Sequence, residues 1–132
     1  RSQRILLTWL IEDTDIYGKI KELISEEDFI DGFYKKVAKM LFEQLEEGNV
    51  NPARILNSFE SEDEQKEAAA LFHATLGEKM TAQEKEIAFN ETIRRVKKNS
   101  LEYASRNATD VATLQKIIRE QAKMQNMYIS LS

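Results

Sequence analysis

The sequence predicts an all-α protein, a multi-helix bundle followed by a C-terminal helical hairpin, and three observations carry that reading. Gly (4) and Pro (1) are scarce in 132 residues, too few for the tight turns that a sandwich or barrel requires. Apolar residues recur at helical spacing through most of the chain. Helix-start signatures divide the chain at regular intervals.

The elements follow in order. Helix one, about 2–12, carries Ile5, Leu6, Leu7, Trp9, Leu10 and Ile11 nearly all round, the pattern of a central, buried helix with Trp9 as a core anchor. Helix two, about 14–24, opens at Asp13 or Thr14 and spaces Ile16, Ile20, Leu23 and Ile24 helically. Ser25-Glu26-Glu27-Asp28 resembles a capping box ahead of helix three, about 30–47. There Phe29, Phe33, Val37, Leu41 and Leu45 fall at i, i+4 spacing, and Gly48 marks the end. Asn51-Pro52 places an N-cap before a proline at the first helical position, where no N–H is needed, and predicts a short helix over 52–58. Ser61-Glu62-Asp63-Glu64 opens helix five, about 62–76, with Ala68, Leu71, Phe72 and Leu76 as its apolar face and Gly77 beyond it. Thr81-Ala82-Gln83-Glu84 opens a long helix over 82–106, and Thr109-Asp110 a last one over 110–130. A loop of about three residues between these two forces them to lie antiparallel.

Charge divides at the same point. Residues 1–79 hold 10 basic and 17 acidic residues, a net −7, whereas residues 80–132 hold 9 and 6, a net +3. The expected organisation is a helical bundle subdomain over 1–80 and a hairpin subdomain over 81–132.

Little in the chain suggests chemistry. With no Cys, a disulfide framework, a zinc ribbon and a thiol nucleophile are excluded. His73 is the only histidine, so a di-iron site with two Glu-x-x-His motifs cannot form, and no metal site is expected. No glycine-rich phosphate loop or Gly-x-Ser-x-Gly turn occurs. The acidic pairs Glu26-Glu27 and Glu46-Glu47 read as solvated faces or helix starts, where carboxylates favour the dipole. No catalytic residue, cofactor or small-molecule substrate is therefore expected. The basic cluster Arg94, Arg95, Lys97 and Lys98 lies mid-helix in a chain of net charge −4, so direct nucleic-acid binding is expected to be weak or absent. The longest apolar stretches are far too short to span a bilayer. The lack of a signal peptide and of Cys suits a reducing cytoplasm, and a start at Arg1 suits a fragment of a longer protein.

The last helix carries more apolar residues than one stripe needs. Val111, Leu114 and Ile118 suffice to face the preceding helix, which leaves Ile117, Met124, Met127, Tyr128 and Leu131 as anchors for a partner. Arg119 and Lys123 would orient the partner at the rim. The alternative is that the hairpin folds back and buries these residues against the bundle.

Several stretches together resemble a known family. They are Arg4-Ile5-Leu6-Leu7-Thr8-Trp9-Leu10, Ile16-Tyr17-Gly18-Lys19-Ile20, Ser25-Glu26-Glu27-Asp28-Phe29, Phe33-Tyr34-Lys35-Lys36-Val37-Ala38 and Ile93-Arg94-Arg95-Val96-Lys97-Lys98, followed by the hairpin. The layout resembles the C-terminal helicase-binding domain of bacterial DNA primase over nearly the whole chain. The N-terminal domain of the replicative helicase looks similar, but Arg1-Ser2-Gln3-Arg4 at the start and the apolar tail Tyr128-Ile129-Ser130-Leu131-Ser132 favour primase. The resemblance implies a domain without catalytic residues in the cytoplasmic bacterial replisome. Its partner would be the N-terminal collar of the hexameric replicative DNA helicase, with the hairpin supplying much of the contact, and it would modulate helicase and RNA primer synthesis. The polymerase site and zinc module would lie upstream. The rival readings are the helicase domain itself and a helical self-association module.

Overall fold

The computed structural model describes all residues, 1–132, as seven helices joined by short connections, with no strand. They are α1 Ser2–Glu12, α2 Tyr17–Ile20, α3 Gly32–Glu47, α4 Pro52–Asn57, α5 Glu62–His73, α6 Ala82–Asn107 and α7 Val111–Gln125, with single 3₁₀ turns at Thr14–Ile16 and Glu26–Asp28. The all-α architecture expected from patterning is present. No helix is long and apolar enough to cross a membrane.

α1 is the central element, packed against α3, α5 and α6. Leu6, Leu7 and Leu10 are fully buried, and Trp9 meets Phe89 of α6 edge-on at 6.0 Å between ring centres. Phe42 of α3 stacks between Tyr17 and Phe29, which closes the core over the α2 corner. Capping follows the sequence signatures. Asn51 and Ser61 accept N–H groups at the starts of α4 and α5, and Thr81 with Glu84 forms a complete capping box at α6. Gly48 takes the left-handed conformation at φ 79°, and the Asn49 N–H reaches back to the Gln44 carbonyl, as a Schellman ending of α3 requires.

Four element boundaries differ from expectation. Helix two shrinks to a 3₁₀ turn and the one-turn α2, because the backbone turns out at Lys21 and presents the Leu23 carbonyl to Lys97 of α6. Ser25 and Asp28 do form a capping box, but around an isolated 3₁₀ turn, and Asp31 is the cap of α3. Phe29 therefore stands before the helix rather than on it, fully buried. α5 stops at His73, three residues before the expected end, and the Glu12 carboxylate accepts the Leu76 N–H beyond it. α7 stops at Gln125, and residues 126–132 continue without helix.

The division at residue 80 does not separate two cores. Phe89, Ile93 and Val96 of α6, and Met127 and Ile129 of the terminal segment, belong to the same buried cluster as Leu6, Leu10 and Leu41. The first half of α6 is thus a bundle helix, and α7 is the part of the hairpin that lies outside, with its principal contacts to α6.

Truncating the ring that bridges α1 and α6 tests this shared core. Phe89→Ala is expected to lower unfolding stability by about 3–5 kcal/mol, read as a single shifted urea transition. Two separate transitions in the parent chain would show instead that the hairpin folds independently.

Candidate functional site

α7 is attached to the bundle at two places. The first is an ionic node. Lys97 lies in register with Ile93 and Leu101 on the inward face of α6, and its side chain is 8% exposed. Its ammonium donates to the Leu23 carbonyl at 3.0 Å and to the Asp28 carboxylate at 3.2 and 3.3 Å. It also pairs with Glu120 of α7 at 3.4 Å. Asp28 in turn accepts from the Ser100 hydroxyl at 2.7 Å and from the Ser25 N–H at 3.0 Å. Each buried donor and acceptor in this group is satisfied, the condition under which a buried charge is tolerated.

The second attachment is a ladder of α6 side chains spaced four residues apart. Arg94 donates to the carbonyls of Met124, at 2.7 Å, and Met127. The Asn90 amide accepts the Ile129 N–H at 2.7 Å and donates to the Ile129 carbonyl at 2.8 Å. Glu86 accepts the Leu131 N–H at 2.8 Å and the Tyr128 hydroxyl at 2.6 Å. The Tyr128 hydroxyl holds the Glu86 carboxyl below its ordinary value of 4.5, and the same bond raises the Tyr128 phenol.

These attachments reverse the expected faces of α7. Ile117 and Met127, expected as partner anchors, are buried at 6% and 7% exposure, and Met124 and Leu131 are half-buried against the core. Tyr128 is exposed but spends its hydroxyl on Glu86. Conversely Val111, Leu114 and Ile118, expected to face α6, point outward at 68%, 43% and 63% exposure. The physical reason is Glu120. Ile117, Glu120 and Met124 share one face at i, i+3 and i+7, and turning that face inward brings Glu120 to Lys97 as a second carboxylate beside Asp28. Arg119 and Lys123 are exposed, as a rim role requires; Lys123 lies 3.7 Å from Glu120.

The outer surface of α7 therefore carries an apolar stripe, Val111, Leu114 and Ile118, and Lys116, Arg119 and Lys123 form a basic row on the flank between that stripe and Glu120. The only two acids on or capping the helix are occupied, Asp110 by the Thr113 N–H and Glu120 by Lys97. Half of the basic cluster of α6 is engaged: Lys97 and Arg94 serve the two attachments, and Arg95 and Lys98 are left in solvent. No cluster of three or more His, Cys, Asp or Glu side chains converges on a metal-sized site.

Two predictions follow from the attachments. Lys97→Met leaves the buried Asp28 carboxylate unpaired and is expected to destabilise by about 3–5 kcal/mol, whereas adding Asp28→Asn should restore part of that loss, because two neutral groups need no counter-charge. A double variant no more stable than Lys97→Met in urea unfolding would contradict the node. The second concerns acid. Glu86 ionises more easily folded than unfolded, so its contribution is present above pH 4.5 and is lost as pH falls through the lower folded value. Opening of the terminal segment, read by exchange of the Ile129 and Leu131 amides, should become easier below that pH, and Glu86→Gln should flatten the dependence. An unchanged pH profile in that variant would rule Glu86 out.

The chain matches no model of a known protein family, no curated protein and no solved structure.

Proposed function

We propose that the chain is a non-catalytic docking domain of a bacterial DNA primase, and that it binds the N-terminal collar of the hexameric replicative DNA helicase through the outer face of α7. The observation that carries a docking role is the exposed stripe of Val111, Leu114 and Ile118, three large apolar side chains on one helix face that stand at 68%, 43% and 63% exposure. Spacing at i, i+3 and i+7 suits insertion of one helix face into an apolar groove. Lys116, Arg119 and Lys123 suit a groove edged with carboxylates and would align the helix on approach. The resemblance of segments 4–10, 16–20, 25–29, 33–38 and 93–98 to the primase helicase-binding domain supports the choice of partner. In this role the domain acts in the cytoplasmic replisome. It holds primase beside the unwound template and modulates helicase and primer synthesis through that contact. Its own side chains perform no bond chemistry.

Leu114→Asp and Ile118→Asp should each weaken binding to the helicase N-terminal region by at least about tenfold, or 1.4 kcal/mol, measured by surface plasmon resonance. Because both positions are exposed, melting should stay within about 0.5 kcal/mol of the parent. Undiminished binding in both variants would exclude the α7 face. A concentration-dependent mass of the parent chain, abolished by either variant, would assign the stripe to self-association instead.

A further inference from the structure

α1 and α6 run antiparallel, with Ser2 beside Asn99 and Trp9 beside Phe89. On the flank of that contact lies a cleft of about 450 Å³, a volume within the range of small-molecule sites, and no residue of α7 lines it. Its two ends differ. Toward the C-terminal end of α1 the walls are apolar, formed by Ile5, Trp9 and Ala88. Leu76 and Met80 of the α5–α6 connection join them, and the Glu12 carboxylate holds that connection by the Leu76 N–H. Toward the start of α1 the walls are polar, formed by Arg1, Ser2, Arg95 and Asn99. From Ala88 to Asn99 the α6 wall rises about 16 Å. The cleft is thus long, apolar at one end and cationic at the other.

The polar groups left free in this space are mainly donors. Every ion pair of the chain lies elsewhere, so the Arg1 and Arg95 guanidinium groups have no carboxylate partner. Thr92 spends its hydroxyl on the Ala88 carbonyl. Glu91 is the one acid in the lining, exposed one turn before Arg95. Two cations against one acid leave room for a single negative charge. Trp9 supplies a further donor. It is only 5% exposed, and its indole N–H donates to no oxygen of the protein. No fully buried side-chain nitrogen lacks a partner, so this N–H opens to water, and the cleft is the opening that Trp9 lines. A donor fixed by a buried ring in an apolar wall is left for an acceptor from outside.

We propose that the α1–α6 cleft binds a small acyl carboxylate. Its chain lies along Ile5, Ala88 and Leu76, and its carboxylate takes the donors that the protein leaves free, the Arg95 guanidinium and the Trp9 N–H. A long apolar wall suits an acyl chain, and the surplus of one positive charge suits a monoanionic head. The site is separate from the outer stripe of α7, and the inference does not rest on the docking role.

Trp9 is the only tryptophan of the chain, so it reports occupancy directly. The test titrates sodium octanoate, kept below micelle-forming concentration, into the full chain. Trp9 emission should change saturably, and the single indole N–H resonance should move downfield as it gains an acceptor. Octanol, with the same chain and no charge, should bind at least about tenfold more weakly. Arg95→Gln should weaken octanoate binding by a similar factor. Its melting should match the parent, because Arg95 is exposed and unpaired. An indole resonance unmoved by octanoate, equal binding of octanol, or binding indifferent to Arg95→Gln would each overturn the proposal. Movement of the Leu114 and Ile118 methyl resonances in place of the indole would put the acyl chain on α7 and overturn it as well.

Discussion

Lys97 lies where patterning demands an apolar side chain, between Ile93 and Leu101 on the face of α6 that packs inward. Burying an ammonium there is tolerable only if carboxylates come to meet it, and two do, from separate parts of the chain. Asp28 arrives on a 3₁₀ turn whose capping box already orients its carboxylate, and Glu120 arrives on α7. The short α2, the turn at 25–28 and the rotation of α7 all satisfy this one charge. Ser100 and the Leu23 carbonyl complete its surroundings. Replacing such a group with well-packed apolar residues is often neutral or stabilising; what the Lys97–Glu120 pair adds is a directional contact between α6 and the inner face of α7.

The terminal segment extends the same logic with neutral groups. Asn90 grips both backbone groups of Ile129, and Gln44 of α3 does the same to Asn51 at 3.1 and 2.8 Å. In each case a side-chain amide stands in for a neighbouring strand and satisfies backbone that no helix or sheet can serve. In this protein that device fastens non-helical segments onto helices. With α7 pinned by the node and the following segment by the ladder, the outer stripe of α7 faces solvent.

Much of the fold was legible in the sequence because its signals are local. Asn51-Pro52, Ser61 to Glu64 and Thr81 to Glu84 mark helix starts within a few residues of the groups they cap, and the structure uses each of them. The apolar run of α1 identified it as central, with Trp9 buried against Phe89. What misled lies in long-range contacts. Phe29 keeps helical spacing with Phe33 yet stands outside α3, because the capping box of Ser25 and Asp28 closes a single turn. Counting apolar residues does not settle the faces of α7, because its two stripes are nearly equal. The deciding signal was a pair of charges: Lys97 in the apolar register of α6, and Glu120 between Ile117 and Met124. In the terminal segment Met127, Tyr128 and Leu131 continue a helical spacing, but Met127, Ile129 and Leu131 fit a two-residue period equally well. Glu86, Asn90 and Arg94 match no motif as a set. Their four-residue spacing places them on one face of α6, and this was the available clue.

In the proposed docking mode α7 meets its partner with the face opposite Glu120. Methyl-labelled spectra of the intact chain, titrated with the helicase N-terminal region, read both faces together. The methyl resonances of Val111, Leu114 and Ile118 are expected to shift or broaden first, while those of Ile117 and Ile129 keep their positions. Early perturbation of Ile117 and Ile129, with Val111, Leu114 and Ile118 unmoved, would contradict that claim and restore the inner face as the docking surface.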